Sequence, residues 1–515
     1  MRNPKLILPL LALGVGLLAQ PAYAHGFGDR YDLPVPLGYF LVGAGVAVAL
    51  SFAIIGLYMR SGPSHSGYWR YNLFKHGWLR AILTCPVTLL PVKLLAVFLL
   101  GLVIATGFIG AQTSSLNFAP IFVWIIWWVG MGFVAALVGN VWALINPWKI
   151  LFEWAEWLYT RLRPGGSLSL NAEYPRDLGI WPALVLFLAF AWAENAYSEA
   201  SIPNRVAIMV VVYSAITLGG MVVFGKHRWL RHGEAFSVVF SFLARFAPTE
   251  VRVREPDVCR VCGGSCLDLD GECVNCYECF ERAESRELNI RPFTIGLARN
   301  ESVTNDVLVM VVLLLSTVTF DGFSATPAWV DVQSFSLDIF AGTINNVVFN
   351  GLTIADTLGL LLFPVAFLLV YLAFSHLMYR SVGNSAGVGD LARAFVYSLI
   401  PIALAYNIAH FLTLLIIQGQ IIIPIASNPF GFEWDLFGTA EYKIDIGVIN
   451  AKVVWFLSVG LIVLGHIMAV YLAHYIAMRL FRDRITALKS QYPMITLMVA
   501  YTVVSLWIIA QPIVG

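Results

Sequence analysis

The chain has 515 residues, 59% of them hydrophobic and 12% charged, a formal net charge of +1 and a mean hydropathy of +0.77. A soluble globular surface does not tolerate that composition, so the solvent is lipid; spans of about 20 apolar residues leave room for roughly ten helices and modest loops, but no large soluble domain. The balanced charge gives no footprint for a nucleic acid, and its distribution says more than its sum.

In chain order, Arg2 and Lys5 precede an apolar run over 6–19 and then Ala22-Tyr23-Ala24, an A-x-A cleavage site. This is the form of a secretory signal peptide, so residues 1–24 are expected to be removed, leaving His25 as the mature start. A free amine and an imidazole on one residue can chelate copper, the alternative being an accident of where cleavage falls. Apolar runs then predict spans over 37–59, 90–109, 118–145, 180–197, 206–224, 307–320, 358–378, 394–417, 453–478 and 494–510. Lys and Arg alternate with these crossings. Arg60, Arg70, Lys75 and Arg80, then Lys149, Arg161, Arg163 and Arg176, then Lys226, Arg228 and Arg231, and later Arg380, Arg393, Arg479, Arg482 and Arg484 fall in loops on one side, whereas Arg205, Lys443 and Lys452 stand on the other. By the positive-inside rule the richer side is the cytoplasm. The expected fold class is therefore an all-α polytopic protein of the bacterial inner membrane, with its mature N-terminus periplasmic. Its expected parts are five helices within 25–250, a cytoplasmic cysteine-rich loop within 251–300, and five more helices within 301–515. Residues 233–247 are apolar but too short to span, which predicts a re-entrant or interfacial helix. The outer stretches 321–356 and 418–450 are long and rich in aromatic residues, and are expected to cap the helices.

Six of the seven cysteines lie in CRVCGGSCLDLDGECVNCYECF: Cys259, Cys262, Cys266, Cys273, Cys276 and Cys279. In a reducing cytoplasm such a cluster ligates metal in preference to forming disulfides. Two C-x2-C knuckles suit tetrahedral zinc, which pairs Cys259 and Cys262 with Cys276 and Cys279, with Gly263 and Gly264 at the tight turn and residues 268–271 as the turn between the knuckles. This predicts a small zinc-ribbon-like loop. An iron–sulfur cluster is the alternative, since Cys273, Cys276 and Cys279 resemble part of a ferredoxin run but lack its Cys-Pro. A site filled by thiolates is structural.

Ionisable residues inside spans are costly and by default mark function. Glu194, His410, His466 and His474 are of this kind. At about 1.5 Å per residue, Glu194 and His410 lie about 6 Å outward of their helix midpoints and His466 lies near its own, so these three share a level; His474 is about 12 Å further inward. One carboxylate and two imidazoles make a ligand set for a second divalent metal with a position open to water. The plainer alternative is hydrogen bonding between helices. Gly383-Asn-Ser385-Ala-Gly387 fits G-x-S-x-G but joins two membrane helices where a nucleophile elbow needs a strand and a helix, so Ser385 is read as a loop serine. Asn146-Pro147-Trp148 is an ordinary span terminator.

HGFGDRYDLPVP at the mature start, TVTFDGFSATPAW over 317–329, IPIALAYNIAHFLTLLIIQGQ over 400–420 and GHIMAVYLAHY over 465–475 together resemble the fenitrothion hydrolase family of integral membrane proteins. The likeness runs through most of the chain. It implies hydrolysis of organophosphorus triesters, and it brings no site residues with it. A neutral aryl phosphotriester partitions into lipid and needs no charged clamp, and a metal-bound hydroxide would attack it. On that view Glu194, His410 and His466 are ligands, Asp321 at the outer rim is a base, and the partners are the bilayer, a small apolar substrate and further copies of this or another chain. Two rival classes use the same features differently. A transporter of a metal ion or small solute would use the buried polar residues as a pathway continued by His474, and an assembly scaffold would use the cysteine loop alone.

Overall fold

Lipid offers the backbone no hydrogen-bond partners, so a chain of this composition satisfies its N–H and C=O groups within helices. The computed structural model describes residues 24–26, 29–31, 33–59, 68–261, 266–267, 271–340, 350–383, 386–481 and 483–511. Cys262, Ser385 and nearly all of the proposed signal peptide lie outside these residues. Among the described residues, ten helices are long and apolar enough to cross a membrane: Leu37–Tyr58, Pro86–Ile109, Phe118–Leu137, Arg176–Asn195, Pro203–Phe224, Asn305–Ser324, Gly351–Val382, Val388–Ser427, Ala451–Leu480 and Arg484–Ala510. They fall where the apolar runs predict them.

The sixth span, Asn305–Ser324, is the most enclosed and forms the axis of the bundle. The first span packs on the ninth and tenth, joining the two ends of the chain. Small residues set the closest approaches. A Cβ on Gly465 would stand 2.3 Å from Ala405 Cβ and 2.8 Å from the Pro401 carbonyl, so the ninth and eighth spans touch backbone to backbone only because that residue is glycine. Residues Ile121–Val129 of the third span wind as a π-helix, and their run of isoleucine and tryptophan directs Trp127 and Trp128 into the protein.

Residues 233–247, expected as a re-entrant or interfacial helix, pack inside the protein. Lys226–His232 runs back along the fifth span, with Trp229 seated over Gly220, and Ala235–Phe246 is buried in the bundle, with Val239 and Phe240 inaccessible. The turn between them is held by Glu234, whose carboxylate accepts from Phe236 N at 3.0 Å, Ser237 N at 2.7 Å, Asn146 Nδ2 at 3.2 Å and the Tyr213 hydroxyl. The outer stretches are ordered against the helices. Pro327–Phe340 is a helix on the seventh span, where Trp329 Nε1 donates to Asp356 at 2.7 Å, and the Pro429 and Phe430 carbonyls accept from Phe118 N at 3.1 Å and Ala111 N at 2.8 Å.

One feature departs from the all-helical expectation. Strands Tyr71–Asn72, Arg286–Ile290, Thr249–Val253 and Cys273–Val274 form, in that order, an antiparallel sheet at one end of the bundle. The short strands lie among charged residues and carry too little alternation to stand out from the spans. A buried ion pair anchors the sheet: Arg291 Nη1 donates to Glu250 Oε2 at 2.8 Å with both side chains inaccessible, and Arg252 Nε reaches Glu250 Oε1 at 2.6 Å.

Candidate functional site

The sheet is the platform on which the cysteines converge. Cys259 sits on the helix Pro256–Val261, Cys266 in a turn, Cys273 on the strand Cys273–Val274 and Cys279 on the helix Tyr277–Arg282. Their four sulfurs lie within 4.8 Å of one another and all four residues are buried, with Cys266 Sγ 3.7 Å from Cys279 Sγ. A tetrahedral ion with bonds of about 2.3 Å to sulfur sets neighbouring sulfurs about 3.8 Å apart, so the arrangement is compatible with a structural metal site. Val253 and Ala283 pack around it. The expected pairing of two C-x2-C knuckles is corrected here. Cys266 and Cys273 belong to the four, Cys276 does not, and Cys262 lies outside the described residues. The reason is local. Cys273 is drawn inward by pairing with Val253 and by the bridge to Leu267, whereas Cys276 is an extended residue ahead of its helix and lines a neighbouring cavity. Gly271 has φ +77°, and the rest of the turn expected over 268–271 lies outside the described residues. A hydrogen bond from Cys273, together with Cys279 and Arg231, draws the Cys276 thiol down to about 5; the same Cys276 contact and burial push Cys273 up.

The intramembrane residues divide differently. Asp321, expected only at the rim, is in direct contact with His410, its Oδ2 3.0 Å from Nε2, and the two side chains are 27% and 23% exposed. Glu194 accepts from Trp128 Nε1 at 2.7 Å and lies within electrostatic reach of Asp321. Tyr406, one turn before His410, stacks on it with ring centroids 6.0 Å apart, and Gly322 leaves room for its hydroxyl, since a Cβ there would stand 2.1 Å from it. His466 does not join this group. Its Nδ1 lies 2.8 Å from the Ile462 carbonyl, and its ring faces Tyr501, which bonds Thr319 at 2.5 Å, two residues before Asp321. Among the described residues the four cysteines are the set of three or more metal-ligating side chains that converges, and Glu194, His410 and His466 do not form one. Helix depth places these three at similar levels, but their azimuths separate them. His474 is elsewhere again, with Nδ1 3.1 Å from Gln491 Oε1 and Nε2 3.4 Å from the Met59 carbonyl.

Sequence reasoning missed Trp128, Tyr406 and Glu234. Tyr406 carried a signal, standing four residues before His410 and so on the same helical face. Glu234 carried another, a carboxylate immediately before an apolar helix, in N-cap position.

Fold and site together define a polytopic membrane protein with a four-cysteine module on one end of the bundle and a part-exposed His–Asp pair within it. Comparison with protein-family models, with curated proteins and with solved structures found no match to this chain.

Proposed function

We propose that the protein is a membrane-embedded hydrolase of small apolar esters, organophosphorus triesters being the substrate class that the family resemblance suggests, and that its base is the Asp321–His410 pair. One observation carries the reading: a histidine bonded to a carboxylate at 3.0 Å, both part-exposed, on membrane-spanning helices, where ionisable residues by default mark function. With Nε2–H donated to Asp321, His410 Nδ1 is left to take a proton from water as the oxygen attacks phosphorus, and Asp321 stabilises the imidazolium. The aryl oxide leaves with the bonding pair, and the imidazolium returns the proton to it or to solvent. An apolar cavity of about 530 Å³ between the second to fifth spans supports an apolar substrate, and its wall residue Phe190 packs edge-on against Trp128 at 4.7 Å. In this reading the cysteine module holds a structural zinc on the cytoplasmic side of the bacterial inner membrane.

Purified protein assayed with an aryl phosphotriester tests the proposal. His410→Ala and Asp321→Asn should each lower turnover about a hundredfold or more with metal content unchanged, the usual size of a general-base contribution, and His474→Ala should not. No turnover by the wild type, or equal turnover in all variants, overturns it. A solute or proton pathway is the second reading, favoured by the buried Tyr406 Oη and His466 Nε2, which lack a protein hydrogen bond. Against it stand Met494 and Met498, which fill the tenth span between the levels of Gln491 and Tyr501 and leave an apolar gap before His474.

A further inference from the structure

The fourth and fifth spans follow one another in the chain and yet barely touch, because other helices hold them apart. The fifth is pinned to the second: a Cβ on Gly107 would stand 2.6 Å from Ala207 Cβ and 2.7 Å from the Pro203 carbonyl, so the two backbones meet only because residue 107 is glycine. The fourth is tied to the sixth and seventh, where Ile180 N donates to Asp306 Oδ2 at 2.6 Å and Trp192 Nε1 donates to Thr357 Oγ1 at 2.9 Å. The gap between them is the mouth of the apolar cavity of about 530 Å³. Ala189 on the fourth span and Ile208, Val212 and Ile216, a turn apart on one face of the fifth, line the cavity and are exposed. Val211 beside them is exposed without lining it, so this edge of the fifth span borders lipid.

We propose that this cavity is a binding site for a neutral aromatic small molecule that enters sideways from the bilayer, between the fourth and fifth spans. Its volume lies within the roughly 300–1,000 Å³ of sites that hold small ligands. The wall contains no Asp, Glu, Lys, Arg or His, so a charged ligand would lose its hydration and gain no partner. Polar tips in the wall are already engaged: Trp124 Nε1 donates to the Ala200 carbonyl at 3.0 Å, Trp148 Nε1 to Ser214 Oγ at 2.7 Å, and the Tyr213 hydroxyl to Glu234. What the wall offers is ring faces and edges, from Trp124 and Trp127 on the π-helical turn and from Trp142, Trp148, Phe190 and Phe236. Phe236 meets Trp127 edge-on at 4.5 Å and Phe190 at 5.0 Å, a packing that a ligand ring would extend. A lipid acyl chain gains nothing from ring geometry and gives up more conformational freedom on entry. The π-helical turn is a second pointer, since such turns are frequent at functional sites. The inference rests on the hydrolase reading for the ligand's fate alone; site and route stand without turnover.

The test uses full-length protein in phospholipid nanodiscs and a neutral aromatic photoprobe, a phenyl trifluoromethyl diazirine, with labelled residues mapped by peptide mass spectrometry. Saturable labelling of Trp127, Trp148 or Phe236 that excess naphthalene displaces supports the site; Phe98, exposed on the second span and outside the cavity wall, should be labelled without displacement. Ala189→Trp and Val212→Trp each put an indole in the mouth from an exposed position. Either should abolish the displaceable labelling while Phe98 is labelled as before and the gel-filtration profile is unchanged, which separates a blocked mouth from a misfolded bundle. Displaceable labelling that persists in both variants overturns the lateral route. Wall labelling that naphthalene does not displace, with phospholipid retained after delipidation, overturns the aromatic assignment in favour of a lipid chain, and an unlabelled wall overturns the site. A wild type that takes the probe but hydrolyses no phosphotriester refutes the hydrolase reading and leaves this one standing; turnover with an unlabelled wall does the reverse.

Discussion

Replacing Cys266 by serine tests the metal centre most directly, because the sequence spacing and the structure disagree about that residue. Cys266 Sγ lies 3.7 Å from Cys279 Sγ within a set whose ligand atoms are all within 4.8 Å. A tetrahedron with metal–sulfur bonds of about 2.3 Å has edges of about 3.8 Å, a spacing with which the four sulfurs are compatible. The module's own core is little more than the cysteines with Val253 and Ala283, so a metal bound there would supply most of its folding energy, which for small zinc domains is about 10–16 kcal/mol. A serine hydroxyl stays protonated near neutral pH and cannot replace a thiolate. Cys266→Ser and Cys273→Ser should therefore fall from one bound metal per chain to nearly none by elemental analysis, and protease should then cut within residues 255–285 while leaving the spans intact. Cys276→Ser should keep its metal. If Cys276→Ser loses the ion while Cys266→Ser and Cys273→Ser retain it, the two-knuckle pairing is correct and the tetrad described here is wrong.

Protonation of His227 should weaken the re-entrant hairpin in acid. Its folded value is held near 3, by burial and then by Lys226, Arg282 and Lys149, against about 6.5 when unfolded, so between those limits the unfolded chain binds the extra proton and stability falls as pH falls, by up to about 1.4 kcal/mol per pH unit. The thermal midpoint measured from pH 7 to pH 5 should drop, and His227→Gln should flatten the drop; an unchanged slope refutes the assignment. Arg291→Met leaves Glu250 buried with Arg252 at 2.6 Å and the Tyr68 hydroxyl as partners, and should cost about 3 kcal/mol, the lower end for breaking a buried pair, with Glu250→Gln in the same chain recovering much of the loss of thermal midpoint.

Much of this architecture was legible because lipid imposes one strong rule on sequence. A span must be long, apolar and helical, and the windows over 37–59 and 453–478 announce Leu37–Tyr58 and Ala451–Leu480 without reference to any partner. The re-entrant hairpin was half legible. Its length excludes a crossing, but whether it lies on the surface or inside depends on Trp229 finding Gly220 and on Glu234 finding Tyr213 and Asn146, contacts with residues far off in the chain. The sheet was hidden for a related reason: a two-residue strand such as Tyr71–Asn72 has no periodicity of its own and exists only because Arg286–Ile290 lies beside it.

The candidate sites show the same division in sharper form. Depth along a helix follows from counting residues, and it places Glu194, His410 and His466 at one level, with Asp321 at the outer rim. Azimuth does not follow from counting, because it depends on how each helix is turned by its neighbours. Gly465 fixes the ninth span against Ala405 and Pro401, and His466, the next residue, is thereby rotated toward Tyr501, away from His410. A three-ligand ion needs depth and azimuth to agree for every ligand, whereas a hydrogen-bonded dyad needs agreement for two. Asp321 and His410 meet the weaker condition, and for that reason the chemistry argued here is proton transfer by a histidine–aspartate pair. Among the cysteines the metal condition is met on a platform of strands and short helices, where an extended backbone turns Cys273 inward and leaves Cys276, three residues on, lining a neighbouring cavity.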